Sequence, residues 1–308
     1  MNITLRQLEY FTAVADAGSI TAAAQLLFLS PSAVSTAVGE LEGTLGVKLF
    51  TRHARGLSIT GEGRTVLART RGILRDAADL VTGAGALASD LRGTLSVGCY
   101  STIAPLLLPP VIAQFAEHHP ELTVDFAEGS RNELLDGFTT GKFDLLVLYD
   151  YPFIDDLPDR GTLLPLGALP PYALLPPDHR LAGTGPVSLR DLARDPLILF
   201  NLEPADRYFL SLFHEEGVTP DVRHRTGDFE VIRGLVSRGL GYSLLTQRTR
   251  QSVSYEGTGY VAAELAESHV PLDVVALVPA ASRLTARAQA FVDAAHGVLA
   301  DVIRYDNN

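Results

Sequence analysis

Ser30, Ser32, Ser35 and Thr36 place four hydroxyls within one short stretch, SPSAVSTAVGELEGTLG (30–46). Ser30 followed by Pro31 is the pairing of an N-cap with a first helical residue that needs no N–H partner. Val34, Val38, Leu41 and Leu45 then recur at helical spacing, so one face is core. The outward stripe is Ser32, Ser35, Thr36 and Gly39. Small hydroxyl groups at the start of a helix can bond base edges or phosphates, and the free N–H groups of the first turn favour an anion. The competing reading is a polar surface helix of any small helical bundle. The segment holds no Lys or Arg and the chain has a formal net charge of -11, so the chemistry needs charge from elsewhere.

That charge is close by. Residues 1–92 hold nine Lys/Arg and eight Asp/Glu, a balance of +1, which leaves -12 for the rest of the chain. From Lys48 to Arg75 seven basic residues meet a single acid, Glu62. Net charge therefore does not exclude a polyanion; it localises where one docks. Arg52, His53 and Arg55 fall in VKLFTRHARGLSIT, which alternates and turns at Arg55-Gly56 like a short two-stranded wing, and Arg64 follows. These positions suit phosphate or minor-groove contacts. Arg71 and Arg75, farther along, read as solvated surface.

The elements that must position these groups are legible from caps and periods. Thr4-x-x-Gln7 is a capping box before Leu8, Phe11, Val14 and Ala15, and Gly18 ends that helix. Ser19 caps a second, Ala-rich helix through ITAAAQLL, and Phe28-Leu29-Ser30 is the turn into the third. Thr60 caps a long helix to about residue 89, with Val66, Ile73, Leu80 and Leu87 every seven residues and Leu67, Leu74 and Val81 in a parallel row. An apolar repeat of that length calls for a partner helix. From Gly93 strands alternate with helices in two rounds: TLSVGCY, a helix over 105–118, LTVDFA, a helix over 131–140 and FDLLVLY; then YALLP, LILF, VRHRT, GYSLL and LDVVALV among helices near 188–194, 204–216, 229–238 and 283–304. This predicts parallel sheets covered by helices, in two subdomains.

In such α/β units ligands sit at strand C-terminal ends and helix N-termini. Those ends carry Ser101 and Thr102, Ser130 and Arg131, Tyr149 and Asp150, Phe200 and Asn201, and Asp228-Phe229-Glu230. Each is also a common cap or turn residue; their recurrence at corresponding strand ends is the argument for a small-molecule site. Asp150, Asp228 and Glu230 facing Arg131 allow a polar or zwitterionic ligand.

The stretch LRQLEYFTAVADAGSITAAAQLLFLSPSAVSTAVGELEGTLGVKLFTRHARGLSITGEG resembles the N-terminal domain of LysR-type transcriptional regulators over nearly sixty contiguous residues, with the family skeleton running from Leu8 to Gly63. Family members commonly carry Gln where Pro31 stands, and often a basic residue near Thr36, Ala37 or Gly39. The resemblance implies an α/β chain with a winged helix-turn-helix domain over 1–60, a linker and dimerisation helix over 61–90, and a two-lobed effector domain over 91–308. That domain resembles type 2 periplasmic solute-binding proteins, with one lobe of about 91–163 and 269–308 and the other of about 164–268. It further implies promoter DNA as partner, contacted by Ser30, Ser32, Ser35, Thr36, Arg52, His53, Arg55 and Arg64. An effector would be held at positions such as Ser101, Thr102 and Asn201. Pairing through the linker helices, tetramers through the effector domains, and contact with RNA polymerase are also implied.

Other classes find less support. No G-x-S-x-G, H-E-x-x-H or C-x-x-C occurs, so neither catalysis, nor a metal, nor a cofactor is expected. His118-His119 before Pro120 marks a helix end, a predicted loop separates His214 from His224, and GLGYS (239–243) is a helix stop. The lone Cys99 excludes an intrachain disulfide and fits a reducing cytosol. No apolar run approaches a bilayer span and the N-terminus lacks a signal peptide's pattern, so a cytoplasmic protein without a membrane partner is expected. Two alternatives remain open on sequence. A solute-binding protein or enzyme with a helical dimerisation domain predicts no salt-sensitive DNA binding. A DNA-organising protein without an effector predicts no thermal shift with ligands.

Overall fold

The computed structural model describes residues 3–53, 56–83, 91–280 and 284–306. Three helices open the chain: α1 (Leu5–Ala17), α2 (Ile20–Leu26) and α3 (Pro31–Leu45). Their caps are the ones the sequence predicts. Thr4 and Gln7 form the reciprocal capping box, Ser19 accepts from the Ala22 N–H, and Ser30 accepts from Ala33 with Pro31 in the first turn. Gly18 and Gly46 close α1 and α3 in the left-handed conformation. The helix axes of α2 and α3 bend by 111°, within the range of a helix-turn-helix.

Two apolar clusters hold these helices. Leu8, Phe11, Leu41, Leu49 and Leu67 form one; Val14, Ala23, Ala24, Val34 and Val38 form the other. Leu45 is only partly buried against the first. The small Ala23 and Ala24 allow α2 to approach closely, as its composition suggests. The hairpin β1 (Phe50–His53) and β2 (Gly56–Ile59) pairs antiparallel, with Arg52 opposite Leu57 and Phe50 opposite Ile59. Arg55, predicted to contact DNA, lies outside the described residues.

The long helix α4 (Gly61–Gly83) is capped by Thr60, whose hydroxyl accepts from the Gly63 N–H at 2.8 Å. Leu67 is buried in the first cluster, Val66 and Leu74 pack against it, and Ile73 is exposed. The side chains of Leu80 and Val81, and Leu87 with the helix's predicted continuation to residue 89, lie outside the described residues.

The remainder comprises β3 (Gly93–Tyr100), α5 (Ala104–His118), β4 (Leu122–Gly129), α6 (Arg131–Thr139), β5 (Leu145–Asp150), β6 (Thr162–Leu169), β7 (Tyr172–Leu175), α7 (Leu189–Leu192) and β8 (Pro196–Phe200). It continues through α8 (Ala205–Glu215), β9 (Asp221–Thr226), α9 (Phe229–Ser237), β10 (Ser243–Leu245), β11 (Val261–Glu264), β12 (Leu272–Val278) and α10 (Ala286–Asp306). One sheet runs β4-β3-β5-β12-β6, a second β10-β7-β11, and β8 pairs with β9. The chain forms two compact units: residues 1–99, 108–146 and 278–291 make one, and 100–107, 147–277 and 292–308 the other.

The structure corrects the expectation of parallel sheets throughout. Strands β8 and β9, joined by α8, are parallel, as a single crossover helix requires. Strand β7 instead pairs antiparallel with both β10 and β11, partners far downstream that no single crossover joins to it. Strands β6 and β11 are not among the predicted ones either. GTLLPLGALP carries two prolines and two glycines in ten residues, which reads as turn rather than strand. Among the described residues no single helix is long and apolar enough to cross a membrane.

Candidate nucleic-acid and effector sites

The N-terminal half of α3 presents Ser32, Thr36 and Gly39 to solvent, while Ser35 is half-buried beside the buried Val34 and Val38. The hydroxyls of Ser30 and Ser32 lie 3.0 Å apart, one on the cap and one in the first turn. Phe28, in the turn before this helix, takes a left-handed φ of 56° and is almost wholly exposed. The wing carries Arg52 exposed, and His53 Nε2 lies 2.6 Å from Ser58 Oγ across the hairpin. Arg64, exposed on the first turns of α4, donates weakly to the Ile59 carbonyl at 3.4 Å.

What fixes the wing against α3 escapes a reading of the sequence for charge. Glu42 Oε1 accepts the backbone N–H of Leu49 at 2.8 Å and of Phe50 at 3.3 Å, and its Oε2 meets Lys48 Nζ at 2.6 Å. Burial alone would push this carboxyl up; the Lys48 hydrogen bond, the two N–H groups and the Lys48 charge outweigh it and hold it below its ordinary range. The signal in the sequence is an acid spaced to reach the segment after Gly46, but nothing local distinguishes it from a solvated glutamate.

Arg71 and Arg75 are not solvated, contrary to the sequence reading. Arg71 Nη1 donates to the Thr140 carbonyl at 2.9 Å and its Oγ1 at 3.1 Å, and Nη2 pairs with Asp16. Arg75 Nη1 donates to the Gly141 carbonyl at 2.9 Å, and Nε lies 3.0 Å from Asp144 Oδ1. The physical reason is the turn after α6: the carbonyls of Asp136, Gly137 and Phe138 accept N–H groups of residues 140–142, while those of Thr140 and Gly141 accept the two guanidinium groups at a helix C-terminus, an end that attracts cations.

In the second unit, Ser101 and Thr102 follow β3 directly before α5, and Thr102 Oγ1 is buried with no hydrogen-bond partner among the described residues. Tyr149 and Asp150 end β5; Tyr149 packs edge-on against Tyr100 and Tyr151, and its hydroxyl accepts from Gln247 Nε2 at 2.5 Å. Gln247, buried just after β10, does not stand out in the sequence because its loop carries no motif. Phe200 ends β8 against the ring of Phe229 at 4.5 Å, and the Asn201 N–H donates to the Thr226 carbonyl. Asp228 caps α9, and Glu230 is engaged by Arg233 at 2.7 Å and by the Tyr255 N–H at 3.1 Å. In the first unit Ser130 forms a capping box with Glu133, and Arg131 is buried at the start of α6. The hydroxyl of Ser130 is thereby committed to its cap. Cys99 is buried, and burial together with the Glu128 charge pushes its thiol far up, away from a reactive thiolate.

Comparison with known proteins agrees with this arrangement. Residues 5–64 match the family described as bacterial regulatory helix-turn-helix protein, lysR family, and residues 88–300 match the LysR substrate binding domain. Over 284 residues the chain is 32% identical to the uncharacterized HTH-type transcriptional regulator YeiE of Escherichia coli (strain K12), covering 88% of each. The crystal structure of HinK, a LysR family transcriptional regulator from Pseudomonas aeruginosa, superposes with a TM-score of 0.63 at 36% identity, covering 97% of this chain and 99% of that one. A full-length OxyR variant from the same organism gives 0.70 at 26% identity, over 96% and 98%. With the helix-turn-helix and the substrate-binding domain both matched and nearly the whole length shared with its relatives, the chain belongs to the LysR-type transcriptional regulators and joins a DNA-binding domain to an effector-binding one.

Proposed function

We propose that this regulator reads promoter DNA with the N-terminal half of α3, flanked by phosphate contacts from the wing, and that a small effector in the C-terminal domain modulates that binding. The observation that carries the reading is the run of exposed small residues, Ser32, Thr36 and Gly39, at the end of the second helix that enters the major groove in such motifs. Ser30 and Ser35 border the stripe; Arg52, His53, Arg55 and Arg64 supply charge around it. The proposed domains are 1–60, 61–90 and 91–308. The protein works in the cytoplasm as a homodimer through the linker helix and as a homotetramer, and it contacts RNA polymerase. No reaction is assigned to it.

The candidate effector contacts in the C-terminal domain are Ser101, Thr102, Tyr149, Asp150, Phe200, Asn201, Phe229 and Glu230 in one unit, and Ser130 with Arg131 at the start of α6 in the other. The buried hydroxyl of Thr102, without a hydrogen-bond partner among the described residues, supports this placement, because leaving a buried hydroxyl unbonded is destabilising.

The test is selection of bound duplexes from a random pool at moderate salt. Enrichment of a two-fold symmetric sequence is expected, and the regulator reading fails if nothing is enriched over bulk DNA. On the enriched duplex, Arg52→Ala should weaken binding evenly across sequences and lower the salt slope by about 1. Gly39→Ala gives a sharper outcome. A Cβ at Gly39 meets nothing within 4 Å in the free protein, so the helix should gain roughly 1 kcal/mol in thermal or urea unfolding. If the stripe lies against base edges, the same methyl should cost about tenfold in affinity; unchanged affinity would move the reading surface elsewhere.

A further inference from the structure

Arg71 joins three elements through one guanidinium. Its backbone belongs to α4, one terminal nitrogen is bonded to the Thr140 carbonyl and hydroxyl at the end of α6, and the other pairs with Asp16 near the end of α1. The side chain is only 13% exposed although Asp16 is 57% exposed, so most of its surface is committed to these partners. One turn later Arg75 repeats the attachment on Gly141 and Asp144, and Asp144 in turn accepts the Ser96 N–H at 2.8 Å. Backbones also touch here. Gly141 has a φ of +70°, and a Cβ on it would lie 2.6 Å from Ala68 Cα and 2.7 Å from the Ala68 carbonyl oxygen of α4. The turn that closes α6 therefore lies in direct backbone contact with α4, with the two arginines bonded to its Thr140 and Gly141 carbonyls.

The other end of α6 is Ser130 and Arg131. The helix has nine residues, about 13 Å, stiffened by a capping box at one end and by Leu134, Leu135 and Phe138 buried along it. We propose that α6 and Arg71 are a positioning device that connects the state of the Ser130–Arg131 end to the orientation of the winged helix-turn-helix. This rests on the reading of Ser130 and Arg131 as effector-side residues. A displacement of α6 along its axis must either carry the Arg71 guanidinium with Thr140 or break that pair, and both alter the Asp16 contact on α1. Coupling of this kind is reciprocal: whatever fixes the DNA-binding domain must also bias the end of α6.

Reciprocity makes the device testable without the effector. Hydrogen exchange of the full-length protein is followed in peptides spanning 137–142, with Arg69→Ala, an exposed arginine on the same helix, as control. Asp16→Asn changes only an exposed carboxylate on α1. It is nevertheless expected to speed exchange in 137–142 by about three- to tenfold, because Arg71 loses one of its anchors. Arg71→Ala should do the same or more, and Arg71→Lys, which keeps the charge but not the fork, should fall between. With wild type, the duplex enriched by selection should slow exchange in 137–142, and in Arg71→Ala or Arg71→Lys that response should shrink or vanish. Unchanged exchange in Asp16→Asn, an equal rise in Arg69→Ala, or an undiminished DNA response in both Arg71 variants overturns the proposal. If the wild type enriches no duplex, the regulator reading falls, while the Asp16→Asn measurement still decides whether the joint exists.

Discussion

Gly63→Ala is expected to destabilise the N-terminal domain by about 3 kcal/mol and to abolish DNA binding. The alanine methyl would lie 2.3 Å from the Leu49 carbonyl oxygen and 2.7 Å from Ile59 Cγ1. Neither can yield cheaply. The Leu49 carbonyl accepts the Thr60 N–H at 2.9 Å, and the Thr60 hydroxyl bonds the Lys48 carbonyl at 2.7 Å while capping α4 at Gly63. To admit the methyl, the start of α4 must lift from the segment between α3 and the wing, opening the cluster of Leu41, Leu49 and Leu67. Thermal unfolding followed by calorimetry should show an early transition for the N-terminal domain in the variant. Gly43→Ala, on the exposed side of α3 with nothing within 4 Å of the added Cβ, should instead stabilise it by roughly 1 kcal/mol. A Gly63→Ala protein that melts with wild type would show that the close approach at Leu49 is not required.

The contrast between those two glycines marks where sequence stops informing. Both stand in helices, and no local pattern separates the one whose hydrogen faces a carbonyl from the one that faces water. Caps are different: Thr4, Ser19, Ser30 and Thr60 each act on the residue three positions on, so their roles are written locally and the structure repeats them. The apolar face of α3 is equally local. Arg71 and Arg75 escape such a reading because their partners, Thr140, Gly141 and Asp144, lie more than sixty residues on. The direction of β7 depends on distant partners in the same way, whereas β8 and β9 follow from the single helix between them. At the strand ends, type and place of residues such as Thr102 can be named from sequence, but not that its hydroxyl is buried without a partner or that Gln247 bonds Tyr149. The residues proposed to face DNA are more accessible to such a reading, since a helix start and a hairpin turn can be found within one stretch, although the outward stripe read from spacing includes Ser35, which is half-buried.

Removing the Glu42 carboxylate should separate the wing from α3. Glu42→Ala leaves the Leu49 and Phe50 N–H groups without their acceptor and is expected to cost about 2–3 kcal/mol of N-terminal stability, with hydrogen bonds to a charged acceptor providing most of it. The Lys48 pair adds little, because Lys48 is 79% exposed and Lys48→Ala should change the unfolding free energy by no more than about a few tenths of a kcal/mol. The pH dependence identifies the carboxylate as the source. Its folded-state pKa is lowered, so the stabilisation is complete above the unfolded value of about 4.3 and is lost as pH falls through the lower folded value. Glu42→Gln should therefore be less stable than wild type at pH 7, and the gap should narrow steadily below about pH 4, where the wild-type side chain becomes neutral as well. A gap that stayed constant through the acid range would assign the loss to packing rather than to charge. Because Leu49 and Phe50 open the wing, the same variants should weaken DNA binding at neutral pH more than their loss of stability predicts: Arg52 remains present but is no longer held in register with Ser32 and Thr36.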